Sequence, residues 1–442
     1  MTLTDRLQTV AVLGAGGKMG SGISLLLAQE MTLQKLIPDN SNRDFTLYLM
    51  DVNPAALEGL RHYLHTQGRK FVQKNAERLA HRNPLLAAAD AADTFVETLD
   101  GIIRPVTELD AVAPAQMVFE AILEKMDLKL KVYTELRRLC SADTWFFSNT
   151  SSIPLKELND GADLGGRLIG FHFYNPPAVQ KLVELIIPET VMPALPEAAR
   201  QLGERLGKII IPSNDVAGFI GNGHFMRDGL HGIAEAERLA ADMPLSSAIY
   251  IVNRISKDFL IRPMGIFQLI DYVGLDIFQS ILAIMDPHFP DEVLRSDLID
   301  RMVAAGVKGG QNSDGSQKDG FLKYEGGKPV GVYDLEEGRY RLHVEGPWKA
   351  AADDRVGPKP EGHTPWKALL GDPDRPAALS VYFANLRRAE TMGAQLAQAY
   401  LKRSKAIGEG LLRDGVARAA EDVNGVLMHG FFHLYGPIND YV

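Results

Sequence analysis

The sequence predicts an α/β domain with a parallel sheet, followed by one or more all-α domains. Three observations predict it. "TVAVLGAGG" is a short apolar run that ends in glycines, and "KMGSGISLLLAQE" after it spaces its apolar residues as a helix does. "FTLYLMD", ending at Asp51, is a second apolar run, so strand, glycine loop, helix and strand follow in order. From "DVAGFIGNGHFMRDG" to about Ala305 the pattern changes to amphipathic helix with no clear strands.

The remaining elements follow along the chain. "MTLQKLIPDNSNRD" is longer than the usual connection from helix to strand and reads as a surface excursion. Residues 54–83 form a charged helical arm. "LDGIIRPVTEL", "AQMVFEAI", "TWFFSNTS", "RLIGFHFYN", "KLVELII" and "KIIIPSN" read as strands, and "DLKLKVYTELRRLC" as a helix. The expected domains are 1–213, including the arm; 214–325, a first helical domain; 326–375, an irregular Gly/Pro-rich connection; and 376–442, a second helical repeat. The repeat rests on an internal echo: "RPMGIFQLIDYV" ends at Val273 and "LYGPINDYV" at Val442, each some thirty to forty residues after a small-residue helix start.

Composition narrows the function. The net charge of −9 argues against a broad nucleic-acid footprint. The single cysteine, Cys140, permits no internal disulfide and reads as a buried thiol at a helix end. No stretch approaches ~20 uninterrupted apolar residues, so no membrane span is expected and the default location is cytoplasmic. No His or Cys pairs have metal-ligand spacing, so no metal is expected.

The loop reads Gly14-Ala15-Gly16-Gly17-Lys18-Met19-Gly20. Glycines between strand and helix let the backbone approach a pyrophosphate, and the helix N-terminus supplies N–H groups and a positive dipole end. Counted from Gly14 the spacing is one residue longer than GxGxxG. The strand before, the helix after and the acid Asp51 beyond supply the context that makes the first domain Rossmann-like. Asp51 suits the two ribose hydroxyls of NAD and repels the 2′-phosphate of NADP. Asn53 suits the cap of the next helix better than Asp51 does.

A second constellation lies in "RLIGFHFYNPPAVQKLVELI". If its two strands pair antiparallel, His172 and Glu184 face each other across the ladder. Glu184 then shares an apolar face with Leu182 and Ile186, where a carboxylate needs a partner. The imidazole is that partner, which leaves its other nitrogen as a base for removing a hydroxyl proton. A packed core histidine and a solvated glutamate are the bland alternative. "SNTSS" follows the strand "TWFF", so Ser151 or Ser152 stands where parallel sheets bind ligands. Its hydroxyls also suit a cap on the helix that follows.

On these residues the chain resembles the L-3-hydroxyacyl-CoA dehydrogenase family. The resemblance is carried by "VFEAILEKMDLK", "SNTSS", "GFHFYNPPAVQKLVELI", "VAGFIGN" and "RPMGIFQLIDYVGLD". It implies an α/β Rossmann-like N-terminal domain followed by all-α C-terminal domains, an NAD cofactor, and reversible oxidation of a (3S)-3-hydroxyacyl-CoA in fatty-acid β-oxidation. It further implies His172 as the base, Glu184 as its carboxylate partner, and Ser151 and Asn222 as catalytic groups. Glu124, Lys129 and Asn175 would contact the cofactor with Gly14, Gly16, Gly17, Gly20 and Asp51. Lys74 would contact coenzyme A, with Arg69 and Lys70 beside it. The second helical copy is similar to duplicated C-terminal domains that occupy the place of a dimer partner, so a monomer or homodimer is expected. No crotonase-like domain precedes residue 1, which implies the monofunctional type. Three departures stand out: the long glycine loop, Gly223 where the family often has a basic residue, and "SQKDGFL" in place of "KTGxGFY". The rival readings are a dehydrogenase of a free hydroxy acid, sugar acid or diketone, and a non-catalytic nucleotide-binding protein.

Overall fold

The computed structural model describes residues 1–83, 86, 90–312 and 315–442. Two residues of the glycine-rich stretch after Gly309, Ser313 and Asp314, lie outside the described residues. The chain forms two compact units, Met1–Val216 and Ala217–Val442.

In the first unit the elements are α1 (Leu3–Arg6), β1 (Thr9–Leu13), α2 (Lys18–Leu36), β2 (Thr46–Met50), α3 (Pro54–Lys74), α4 (Ala76–Arg82), α5 (Ala91–Ile102), β3 (Ile103–Val106), β4 (Met117–Glu120), α6 (Met126–Leu139), β5 (Trp145–Ser148), α7 (Leu155–Gly161), β6 (Leu168–Phe173), β7 (Leu182–Ile187), α8 (Ala194–Arg205) and β8 (Ile209–Asn214). The strands form one sheet in the order β3-β2-β1-β4-β5-β6-β7-β8. β1 to β6 run parallel, and β7 turns antiparallel to β6 with His172 in register with Glu184. β1 lies between β2 and β4, so the order reverses there, at the point where open α/β sheets bind ligands. The two central strands are fully buried or nearly so, as a sheet covered on both faces requires.

Two expectations for this unit need correction. "MTLQKL" is not a surface excursion: α2 runs through it to Leu36, because Met31 and Thr32 are buried and carry the apolar side onward. "LDGI" is the last turn of α5, so the strand there begins only at Ile103. Cys140 is buried, and burial pushes its thiol up to about 11, consistent with an inert core residue.

The second unit holds α9 (Gly221–Leu239), α10 (Leu245–Arg254), α11 (Ile266–Val273), α12 (Leu275–Met285), α13 (Asp297–Ala304), β9 (Leu322–Glu325), β10 (Lys328–Asp334), β11 (Arg339–Leu342), α14 (Trp348–Val356), α15 (Trp366–Leu369), α16 (Arg375–Arg388), α17 (Met392–Arg413) and α18 (Ala420–Gly430). The stretch 326–375, expected to be irregular, carries most of a three-stranded antiparallel sheet and two helices. Its first hairpin turns at Gly326 and Gly327, both with positive φ (55° and 76°), the geometry of a two-residue primed turn. Nor do the two helical segments form separate domains. Phe225, Phe259 and Phe267 share one apolar cluster with Tyr382, Phe383 and Tyr400. No single helix among the described residues is long and apolar enough to cross a membrane.

Candidate active site

The glycine loop leaves β1 through Gly14, whose φ of +72° suits glycine alone. A Cβ at Gly14 would meet the Ala121 carbonyl oxygen at 2.6 Å, and one at Gly20 would collide with the Gly14 carbonyl. Gly16 donates its N–H to Asp51 Oδ2 at 2.9 Å. The other Asp51 oxygen accepts from the Asn53 N–H at 3.0 Å. Asn53 is the N-cap of α3, accepting from Ala55 and Ala56, so Asp51 is left at the mouth of the loop. No side chain caps α2, so its first N–H groups and dipole face the loop as an anion site. Loop, uncapped helix and strand-end acid therefore fit a dinucleotide.

The end of β4 carries a group that sequence reasoning passed over. Glu120 is fully buried and accepts from Lys129 Nζ (2.6 Å), the Ile122 N–H (2.9 Å), Ser148 Oγ (2.7 Å) and the Tyr133 hydroxyl (3.1 Å). Lys129 also lies 3.2 Å from Glu124 Oε2. Glu124 Oε1 in turn accepts from the Thr150 hydroxyl (2.6 Å) and the Ser151 and Ser152 N–H groups (2.9 and 3.2 Å). Burial pushes Lys129 down, but the two carboxylates outweigh it and hold the ammonium charged. Burial pushes Glu124 up, and Lys129 with the Thr150 and Ser151 hydrogen bonds brings it below its ordinary value. Glu124 and Lys129 thus fix the serine turn in place. The turn does not cap α7: Asp215 does, accepting from the Leu155 and Lys156 N–H groups at 2.7 and 2.6 Å.

β6 and β7 carry His172 and Glu184 side by side. Glu184 is fully buried and His172 is 8% exposed. His172 Nδ1 meets Glu184 Oε2 at 3.4 Å, the long end of hydrogen-bond range. Tyr174, also passed over, donates to the same oxygen at 3.0 Å. The signal was there: Tyr174 is two residues after His172, on the same side of an extended chain. The Asn149 side-chain oxygen accepts from the Phe173 N–H at 2.9 Å, and the Asn149 backbone N–H donates to the Glu120 carbonyl at 2.8 Å, tying β4, β5 and β6 at their carboxyl ends. Asn175 follows β6 by two residues and precedes a cis bond to Pro176.

The arm contributes a cleft of about 730 Å³, lined by Leu25, Tyr63, Phe71 and Val179 with Lys70 and Lys74 among them. Arg69 does not join them; it pairs with Asp93 of α5. The first unit therefore gathers the loop, Asp51, Glu124, Lys129, Ser151, His172 and Glu184 on the carboxyl-end side of its parallel strands. Asn222 is the second residue of α9, in the second unit.

Comparison with known proteins agrees in order and extent. Residues 9–216 match the family model "3-hydroxyacyl-CoA dehydrogenase, NAD binding domain", and residues 247–324 match its "C-terminal domain". A probable 3-hydroxyacyl-CoA dehydrogenase of Caenorhabditis elegans is 27% identical over 323 residues, 73% of this chain and 94% of the relative. A probable 3-hydroxybutyryl-CoA dehydrogenase of Bacillus subtilis is 29% identical over 330 residues, 72% of this chain and 98% of the relative. The chain also matches a peroxisomal fatty acid β-oxidation multifunctional protein of Oryza sativa at 27% identity, but covers only 39% of its length. Among solved structures, 3-hydroxybutyryl-CoA dehydrogenase of Escherichia coli shares the fold, with a TM-score of 0.64 and 21% identity over 98% of this chain and 90% of that one. With both domain models of one family matched in order, the chain belongs to the 3-hydroxyacyl-CoA dehydrogenase family.

Proposed function

We propose that the chain oxidises (3S)-3-hydroxyacyl-CoA to 3-oxoacyl-CoA, reversibly and with NAD, through a His172–Glu184 pair. The observation that carries this reading is the cross-strand register of His172 and Glu184 in the same sheet as the glycine loop. Gly14, Gly16, Gly17, Gly20 and Asp51 would hold the dinucleotide, with Glu124, Lys129 and Asn175 along its nicotinamide half. When bound, NAD supplies the acceptor for the hydride that leaves C3.

The chain's own residues handle the proton. With Nδ1 turned to Glu184, His172 Nε2 takes the proton of the 3-hydroxyl. Glu184 stabilises the imidazolium that forms, and in the low dielectric of a buried site that stabilisation is stronger than in water. Ser151, held by Glu124, donates to the 3-oxygen and keeps it beside Nε2. By the family resemblance, Asn222 at the start of α9 would be a further catalytic group. Lys74 and Lys70 give the arm cleft the positive charge that phosphate groups of coenzyme A require, and its apolar wall suits the rest of an acyl thioester. A cytoplasmic enzyme acting as monomer or homodimer completes the reading.

The deciding experiment follows NADH oxidation at neutral pH with acetoacetyl-CoA, beside free acetoacetate and with NADPH as control. Turnover of the thioester with NADH and little with NADPH is expected. Turnover of the free acid with silence on the thioester would move the substrate to a free oxo acid and reduce the arm to a solvated surface.

A further inference from the structure

One oxygen of Glu184 serves two partners. The Tyr174 phenol reaches Oε2 at 3.0 Å, and His172 Nδ1 reaches the same atom at 3.4 Å. The two rings lie side by side, with centroids 4.8 Å apart. The shorter bond belongs to the phenol. A hydroxyl donated to a carboxylate draws charge from the accepting oxygen, and a hydrogen bond to the charged form lowers its basicity. The more of that charge the phenol engages, the less remains to stabilise an imidazolium. We propose that Tyr174 is a positioning residue that sets the basicity of His172 through the shared Glu184 oxygen. This rests on the reading of His172 as the base.

The phenol stays a donor across the working range. Burial first, and the Glu184 charge second, push its ionisation well above the ordinary value. β6 carries no titratable side chain besides His172, and β8 carries none. α8 bears Glu197, Arg200, Glu204 and Arg205, but its Leu195, Ala199 and Leu202 pack with Val183 and Leu185, the face opposite Glu184. Lys208, just before β8, spends its ammonium on the Pro177 and Gln180 carbonyls, and Asp215, just after it, caps α7. The consequence is directional. Oxidation needs a neutral imidazole and reduction needs the imidazolium, so a phenol that holds His172 less basic favours oxidation at neutral pH.

The test is Tyr174→Phe in the full chain, which keeps the ring and removes only the hydroxyl. The pH dependence of kcat/KM is measured in both directions with NAD and NADH. The limb assigned to His172 should move to higher pH by about half a unit or more in both directions. The shift should vanish when Tyr174→Phe is made in a Glu184→Gln background. An unmoved limb with a uniform loss of rate would overturn the proposal and leave Tyr174 as packing. Should Tyr174→Phe fail to fold, fluorotyrosine at 174, a stronger donor of nearly the same shape, should move the limb down instead; no movement overturns the proposal equally. A His172→Gln variant, with Tyr174 intact, separates the two readings: if it retains the wild-type limb, His172 is not the base and this inference falls with it.

Discussion

Glu120 and Glu184 are the same residue type, equally buried, on strands of one sheet, yet they are provided for differently. Glu120 faces an ammonium at 2.6 Å that stays charged, and three further donors. Glu184 faces an imidazole and a phenol. A carboxylate with a fixed counter-charge anchors structure. In the proposed reaction, one partnered by an imidazole couples its own stabilisation to a proton transfer. The comparison teaches that burial alone does not separate the two carboxylates; the chemistry of their partners does.

The sharpest way to break the comparison is to remove each partner in turn. His172→Gln should lower kcat by ~10²–10⁴-fold while leaving the unfolding transition nearly unmoved. Glu184→Gln should cut turnover less and leave the KM for acyl-CoA intact. Turnover of either variant within a few-fold of wild type would end the acid–base assignment.

The second prediction concerns the other carboxylate. Lys129→Met strands buried Glu120 and deprives Glu124 of its cation, so it should cost ~3–5 kcal/mol in urea unfolding. Adding Glu120→Gln should restore a large part of that loss, because the neutral amide no longer needs a counter-charge. Additive losses in the double variant would mean that Glu120 is held by its hydroxyl and backbone donors and not by Lys129.

These contrasts also explain what the sequence made legible. His172 and Glu184 could be paired from alternation and a proline turn, because an antiparallel hairpin is local and its faces follow from period two. The glycine loop and Asp51 were legible for the same reason, each lying within one βαβ unit. Glu120 ended an apolar strand run much as Glu184 interrupts one, but its partners Lys129, Tyr133 and Ser148 come from a helix and a neighbouring strand. The cap of α7 by Asp215 spans 60 positions in sequence and leaves no local trace. The hairpin of β9 and β10 was hidden by composition: "YEGGKPVGVY" holds a Gly-Gly turn between short strands, inside a stretch whose glycine and charge content suggests loop. One core shared by both helical segments was beyond reach, since the pairing of α9 with α17 joins residues far apart in the chain.

The smallest effect sharpens the comparison on the cationic side. Lys129 and Lys208 are both withdrawn from water, but only Lys129 has carboxylate partners. Lys208 donates to the Pro177 and Gln180 carbonyls (2.5 and 2.7 Å), closing the turn between β6 and β7, and burial pulls its ammonium down to about 8. Between that value and the ordinary 10.5, the unfolded chain keeps a proton that the folded chain has released. Stability then rises with pH across that window, since the unfolded state binds more protons there. Lys208→Met removes this slope, so the stability difference between wild type and Lys208→Met should grow in favour of wild type from pH 8 to 10 and stay flat below 8. For Lys129 the sign is opposite and the window higher: its folded value is raised, so its contribution is intact below 10.5 and fades only above that. Lys129→Met should therefore show no slope between pH 8 and 10 relative to wild type. Parallel profiles for the two lysine variants across that window would mean that the carboxylates around Lys129 do not distinguish it from a lysine held by carbonyls alone.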